Sequence, residues 1–440
     1  MDHHLMLAGA EPACHKAQMG CGHERSGGVT RRGVLAGAAA TGLVACTARR
    51  DPNALRLWAM SYEGDYSPHL MPAFTRTTGI SVEVQSLPWT AAHEKLLTAH
   101  AGGALPDVMM LPNGWVGEFA LVGAIAPVAD GALLADLFPA TLATVEQGGV
   151  AHAVPWSVAP QVQFYRRDLL ADAGYGAPPE GWAGWREMGR RLKRRRPDDY
   201  AFLMLLNWWD ALFTFASQTG TPLLRERDTR GNFRNPAFRE ALSFYRSLFD
   251  EGLAPPIVST EMQDPLAAFA QGYFAIYPSG PSLLLDLHRR RSEIAADRWG
   301  VARMPGPRGP GPVSGVSAAL AVSRTSTRPD AAWALVRHMT SAATELRFQT
   351  LIGNLPARRS AWSDPQLTAP ALAPFAAQML DVSVDPNIVE WERVRIEVQL
   401  IAERVVRHLM TIDEGLATMD RRVDQLLAKR RALVQAGRLA

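Results

Sequence analysis

Cysteine is scarce, with three in 440 residues, and two of them, Cys14 and Cys21, precede a stretch that reads as an export signal. Once that signal is removed only Cys46 remains, which excludes a disulfide framework and a cysteine nucleophile. Excess charge of one sign is equally scarce: 46 Lys and Arg stand against 43 Asp and Glu, a net of +3. A dedicated nucleic-acid binder would show its basic surface in that total or in one segment. The basic run at 190–196 ends a helical pattern and reads as a solvated helix face. Apolar runs long enough to span a bilayer, about 20 residues, are missing. So are metal-ligand spacing, a nucleophile elbow, a Gly-rich phosphate loop and a motif that singles out two carboxylates. These absences argue against an enzyme, and no metal or cofactor is expected. What is present is an ordinary globular composition, 47% hydrophobic and 20% charged, at a length that suggests two domains.

The N-terminal region carries Arg31-Arg32, then the small apolar residues 33–45, then Cys46. The run is too short to span a membrane and reads as a signal h-region. Leu43-Val44-Ala45-Cys46 matches a bacterial lipobox, in which Cys46 is lipidated and becomes the new N-terminus. The arginine pair resembles a twin-arginine export signal, although a general secretion signal with a basic n-region would look similar. Residues 1–46 are therefore expected to be removed up to Cys46, leaving an exported chain held on the membrane by lipid. Cys14 and Cys21 are six residues apart, looser than a zinc pair. Residues 1–29 read either as an extended n-region or as an over-called start, with translation beginning near Val29.

Beyond a short linker at 47–53 the chain alternates strand and helix signals. Leu55-Arg56-Leu57-Trp58 and Ile80-Ser81-Val82-Glu83-Val84 alternate apolar and polar as strands do. A helix is predicted over 68–77, closed at Gly79, and another over 91–101. The continuous apolar run Val108-Met109-Met110-Leu111 suits a strand buried on both faces of a parallel sheet. Such an α/β unit places loops and ligands at the carboxyl ends of its strands. Farther on, Asn235-Pro236 is a well-formed helix start, followed by apolar residues at helical spacing and Gly252. The Pro- and Gly-rich stretch 304–312 reads as a loop or crossing, and 396–433 as a run of amphipathic helices.

Several segments, in order, resemble the extracellular solute-binding protein family typified by maltose-, trehalose- and oligosaccharide-binding proteins of ABC importers. They are Thr78-Gly79-Ile80-Ser81-Val82, Gly103-Ala104-Leu105-Pro106-Asp107-Val108, Val122 through Val128, Val154-Pro155-Trp156, Phe164 through Leu170, Gly181-Trp182, and Gly353-Asn354-Leu355-Pro356-Ala357-Arg358. The resemblance implies an α/β, type II-like two-lobe periplasmic-binding-protein fold with discontinuous lobes joined by hinge crossings. It sets the N-terminal lobe at 52–157 plus 315–353 and the C-terminal lobe at 158–314 plus 354–440. It also implies closure of the lobes over a solute and delivery to an ABC permease by what is expected to be a monomer, without nucleic acid.

A sugar offers apolar C–H faces and polar hydroxyls, so its site needs flat aromatic rings together with carboxylates and amides. Candidates after the first strand are Trp58, Tyr62 and Glu63, with helix capping as the plain alternative for Glu63 and Asp65. Trp89 follows the second strand, and Asn113 and Trp115 the third. Trp156 precedes the first crossing, Trp208 and Trp209 follow the apolar run 201–206, and Tyr277 and Ser279 occupy a position where relatives carry a ligand loop. Gly315 and Ser317 sit at the second crossing and Trp391 on the approach to the last helices. Trp182, Trp185, Trp299, Trp333 and Trp362 read as packing. Asn113 stands where relatives often have Asp, and Ala159 likewise, which leaves the solute open. Alternatives are the same fold with a polyamine, phosphodiester or peptide, an exported carbohydrate-active enzyme, or an anchored sensor.

Overall fold

A computed structural model describes residues 51, 53–208, 210–314 and 317–439, and of Ser317 the backbone alone. The export-signal reading, Cys46, Trp209 and Gly315 lie outside the described residues. The strands used below are, in chain order, β1 (Leu55–Met60), β2 (Val82–Leu87), β3 (Val108–Pro112), β4 (Val154–Val158), β5 (Val162–Arg166), β6 (Tyr200–Phe202), β7 (Phe274–Ser279), β8 (Trp299–Ala302), β9 (Val313–Ser314), β10 (Ser317–Val322), β11 (Leu355–Pro356) and β12 (Val382–Ser383).

Local chemistry accounts for the first lobe's helices. The helix predicted over 68–77 runs Met71–Thr78 and ends at Gly79, whose φ of 70° is the left-handed cap that glycine adopts without a Cβ penalty. The next helix, Trp89–Ala101, returns the chain to β3. Between these crossovers β1 pairs in parallel with β2 and β3. The apolar run at 108–111 is buried residue by residue, as a strand covered on both faces requires. The six-stranded sheet has the order β11-β4-β10-β3-β1-β2. It is mixed, because β10 returns antiparallel to β3 and β4 from far along the chain.

The second sheet has the order β8-β5-β7-β6. Its neighbouring residues Phe164 and Tyr165 belong to two different apolar cores, as the alternation of a strand requires. Asn235 caps the helix Pro236–Asp250 by accepting from the Phe238 amide at 2.8 Å. That helix buries Phe238, Leu242, Tyr245 and Leu248 against Trp391–Val406 and Ile412–Leu426. Trp185 shows how closely this core is packed. It is fully buried, stacks on Phe202 at 3.8 Å and donates from Nε1 to Gln163 at 2.9 Å. Trp185→Ala is expected to lower unfolding free energy by about 3–5 kcal/mol, measured by urea denaturation. A loss near zero would remove Trp185 from the core.

Two crossings of the chain join the halves. β4 ends at Val158 and β5 begins at Val162, so the chain leaves one sheet and enters the other across Ala159, Pro160 and Gln161. β9 pairs in parallel with β12, with Ser314 opposite Ser383, just before the chain re-enters the first sheet as β10.

Candidate functional site

Parallel strands leave their unpaired carboxyl ends on one side of a sheet, and the side chains that follow them share that edge. After β1 the chain turns at Ser61, with φ of 46°, directly into the helix Ser61–Tyr66. Tyr62 and Glu63 from this turn, Trp89 after β2, Pro112 at the end of β3, and Ser157 from β4 line a cavity of about 350 Å³. Ser282 of the second lobe and Asn354 close it. A second cavity of about 250 Å³ lies against the other sheet, lined by Trp208, Asp210, Ser279, Gly280 and Ser314. Both contain Ala159 on the crossing segment, so the two cavities meet there.

The aromatic rings in this cleft are open. Tyr62 is 43%, Trp89 45% and Trp208 38% exposed, where most large rings of the chain are buried. An apolar ring held open beside a polar cavity is available to stack on a ligand. Trp115 is nearly covered and supports Trp89 from behind, edge-on at 6.4 Å, and packs edge-on to His93 at 4.7 Å. His93 in turn bonds Glu118 at 2.7 Å, which raises the imidazole pKa.

The carboxylates are set by burial. Glu63 is 7% exposed and accepts from Asn354 Nδ2 at 2.8 Å. Removal from water pushes its pKa up to about 7, only partly opposed by its hydrogen bonds. Glu63 stands in the first turn of the helix Ser61–Tyr66, where its carboxyl accepts from its own backbone amide, and the N-cap residue Met60 gives no side-chain cap. Asp210 opens the helix Asp210–Ser217, and burial raises it to about 6 against the pull of Arg395. Among the described residues no lysine, arginine or histidine lines either cavity. Among the described residues no group of three or more His, Cys, Asp or Glu is placed to hold a metal ion.

Of the residues expected from sequence, Tyr62, Glu63, Trp89, Trp208 and Ser279 come together here, and Trp115 stands one layer behind. Others go elsewhere. Trp58 lies within β1, partly buried against the first lobe's core, with Lys95 Nζ 4.8 Å above its ring. Asn113 borders a separate void of about 10 Å³ beside Val158 and Val382. Trp156 is 1% exposed and stacked on Phe348 at 4.5 Å, so the ring that precedes the crossing is core. Tyr277 packs edge-on to Phe274 and Phe269, and burial raises its phenol to about 12. Trp391 is 1% exposed and meets Phe213 edge-on at 5.6 Å. The common reason is position: these rings lie within strands or at a helix start that faces a core, not on strand ends.

Asn354, Ala159, Gly280 and Ser314 were not singled out as ligand contacts. Asn354 sits inside the Gly353-Asn354-Leu355-Pro356 segment, where a polar residue between two apolar ones and a glycine was the available signal. Asp210 belongs to the same polar and aromatic tract as Trp208 and Trp209 after the apolar run 201–206, and it opens the helix Asp210–Ser217.

Comparison with known proteins agrees with this architecture. The family model described as bacterial extracellular solute-binding protein matches residues 61–345. The sugar-binding protein MalE of Xanthomonas citri is 38% identical, with a TM-score of 0.81 over 87% of this chain and 99% of that one. The GacH receptor of Streptomyces glaucescens, solved unliganded and with acarbose, has a TM-score of 0.74 at 23% identity, over 85% of this chain and 99% of that one. A mannitol-binding protein of Pseudomonas aeruginosa is 28% identical over 267 residues, 58% of this chain and 60% of that protein. The two sheets and the cleft between them are the two-lobe periplasmic-binding-protein fold. With a family model spanning most of the chain and a relative at 38% identity over nearly its whole length, the chain belongs to the bacterial extracellular solute-binding protein family.

Proposed function

We propose that this protein captures an uncharged sugar between its lobes and delivers it to an ABC permease. The observation that carries the reading is the cleft itself, with open rings in both cavities, Tyr62 and Trp89 in one and Trp208 in the other, and no basic residue among the described residues that line them. Stacking surfaces suit sugar C–H faces, the carboxyls of Glu63 and Asp210 and the amide of Asn354 suit hydroxyls, and the lack of cations disfavours phosphates and uronates. The sugar-binding and mannitol-binding relatives support the same class. The binding residues in this reading are Tyr62, Glu63, Trp89, Trp208, Asp210, Ser279 and Asn354. Capture is by closure, without covalent chemistry, and the protein acts as a monomer and not as an enzyme.

The lobes in this reading are 52–157 with 315–353 and 158–314 with 354–440, with Leu355–Pro356 added to the first because it pairs with β4. The Arg31-Arg32 signal exports the chain and lipid on Cys46 anchors it. No helix among the described residues is long and apolar enough to cross a membrane.

A thermal-shift screen against sugars, polyols, polyamines and phosphodiesters tests the reading. A sugar at about a hundred times its dissociation constant is expected to stabilise the protein by about 2.7 kcal/mol. Trp208→Ala and Trp89→Ala should each abolish most of that shift. The two carboxyls, with no basic residue among the described residues lining either cavity, favour a polyamine as the second reading. A shift from polyamines with none from any sugar would replace the first reading by it.

A further inference from the structure

The helix Trp391–Val406 turns one face into the second lobe's core, where Trp391, Val394, Val398, Ile401 and Ala402 are buried. A helix laid on a core in this way normally presents a polar face to water. Here the outward face is mixed. Arg393, Ile396, Leu400, Arg404 and, at the C-cap, Arg407 are all exposed, Ile396 at 48% and Leu400 at 54%. Spacings of three, four, four and three residues hold them in one narrow stripe. Two large aliphatic side chains, one turn apart, therefore lie between arginines at both ends.

The stripe's charges are only partly matched within the protein. Glu392, Glu397 and Glu403 flank it, and each is held by another arginine. Glu392 bonds Arg395, Glu397 meets Arg422 at 2.7 Å, and Glu403 meets Arg407 at 2.8 Å. Arg393 and Arg404 make no ion pair among the described residues. The cavities at Trp89 and Trp208 include none of the five stripe residues, so the stripe is separate from the cleft.

An aliphatic centre with cationic ends complements a surface that is anionic outside and apolar just beneath. A bilayer with anionic headgroups is such a surface. Arginine stems lie along the aliphatic residues while the guanidinium groups reach the phosphates. The outer ridge of a helix is convex. A fluid bilayer conforms to it, where a folded protein would need a matching groove.

We propose that the outer stripe of the helix Trp391–Val406 is a docking face for an anionic phospholipid bilayer, on which the second lobe rests. The proposal is independent of the solute, and it stands whether or not Cys46 carries lipid.

Cosedimentation of the purified full-length chain with vesicles tests it, with Cys46→Ser in every protein so that no acyl chain contributes. Residues upstream are common to all the proteins and cancel in each ratio. The expected result is binding to phosphatidylcholine vesicles that contain about 30% phosphatidylglycerol, little to phosphatidylcholine alone, and release in about 0.5 M salt. Arg393→Glu with Arg404→Glu should lower partitioning about thirtyfold or more. Ile396→Ser with Leu400→Ser should lower it about tenfold or more. Arg76→Glu with Arg324→Glu makes the same charge change at exposed first-lobe positions. That pair should stay within about twofold of the parent, since charges far from the contact are screened. Stripe variants that bind as the parent does overturn the proposal, as do equal losses in the stripe and first-lobe variants. A parent that does not distinguish the two vesicles overturns it as well. Retention on immobilised polyglutamate without binding to anionic vesicles overturns it in favour of an acidic protein partner.

Discussion

Glu63→Gln is expected to make the ligand-free protein more stable than the parent by about 3 kcal/mol at alkaline pH, and to change little near pH 4. The Glu63 carboxyl has its pKa raised from the ordinary 4.5 to about 7 because it is buried. A carboxyl raised on folding contributes stability in its protonated form. That contribution is complete below about pH 4.5, declines as pH rises, and is lost above the folded value near 7. Glutamine keeps the acceptor for Asn354 Nδ2 and carries no charge to desolvate, so it escapes the loss. Binding should move the other way. A ligand hydroxyl donating to this group favours the carboxylate, so sugar affinity should rise between about pH 5 and 8 in the parent and stay flat in Glu63→Gln. Urea denaturation and calorimetry over that range give both curves. Parallel stability curves for parent and variant would show that Glu63 ionises as an exposed carboxyl does.

The second large effect is expected at Gly353, where Gly353→Ala should weaken sugar binding by about 5- to 150-fold. Gly353 ends the helix Ala342–Ile352 with φ of 84°. A Cβ there would lie 2.8 Å from Ser282 Cα and 3.2 Å from the Pro281 carbonyl oxygen. Ser282 begins the helix Ser282–Arg289 just after β7, and it lines the same cavity as Tyr62 and Trp89. Arg289 of that helix donates to the Leu351 carbonyl at 3.2 Å and lies over Tyr66 at 5.8 Å. The glycine is thus where the two lobes touch beside the cleft. Alanine carries two separable penalties. The left-handed conformation costs about 1 kcal/mol in any arrangement of the lobes. Overpacking against backbone that has no rotamer to give costs about 1–3 kcal/mol only when the lobes are together. Gly79→Ala isolates the first penalty, since Gly79 has φ of 70° and nothing within 4 Å of its Cβ position. Both variants should melt slightly earlier, and only Gly353→Ala should raise the dissociation constant. Equal sugar affinity in the two would mean that binding does not require contact between Gly353 and Ser282.

Much of the scaffold was legible because its causes are local. Asn235 and Pro236 start a helix by themselves, Gly79 stops one, and the continuous apolar run at 108–111 announces a strand covered on both faces. The α/β class follows from the alternation of such segments, and the position of a site at strand ends follows from the class. Tyr62, Glu63, Trp89 and Trp208 could be proposed on that ground and do share the cleft. Trp115 was legible as a neighbour of the site but not as the ring that stands behind Trp89.

Sequence by itself determined the α/β class, the parallel crossovers of the first strands and the strand-end loops from which a ligand would be met. Those follow from periodicity, caps and strand direction, which reach across a few residues. Tertiary structure alone decided which tryptophans are available and what state the carboxyls adopt. Trp156 and Trp208 look alike in sequence, yet the first is sealed by Phe348 and the second stays open. Glu63 becomes an unusual carboxyl because the fold buries it, while the hydrogen bond from Asn354, 291 residues away, opposes the shift. Exposure and pKa depend on what arrives from the far end of the chain to displace water, and no local pattern records that.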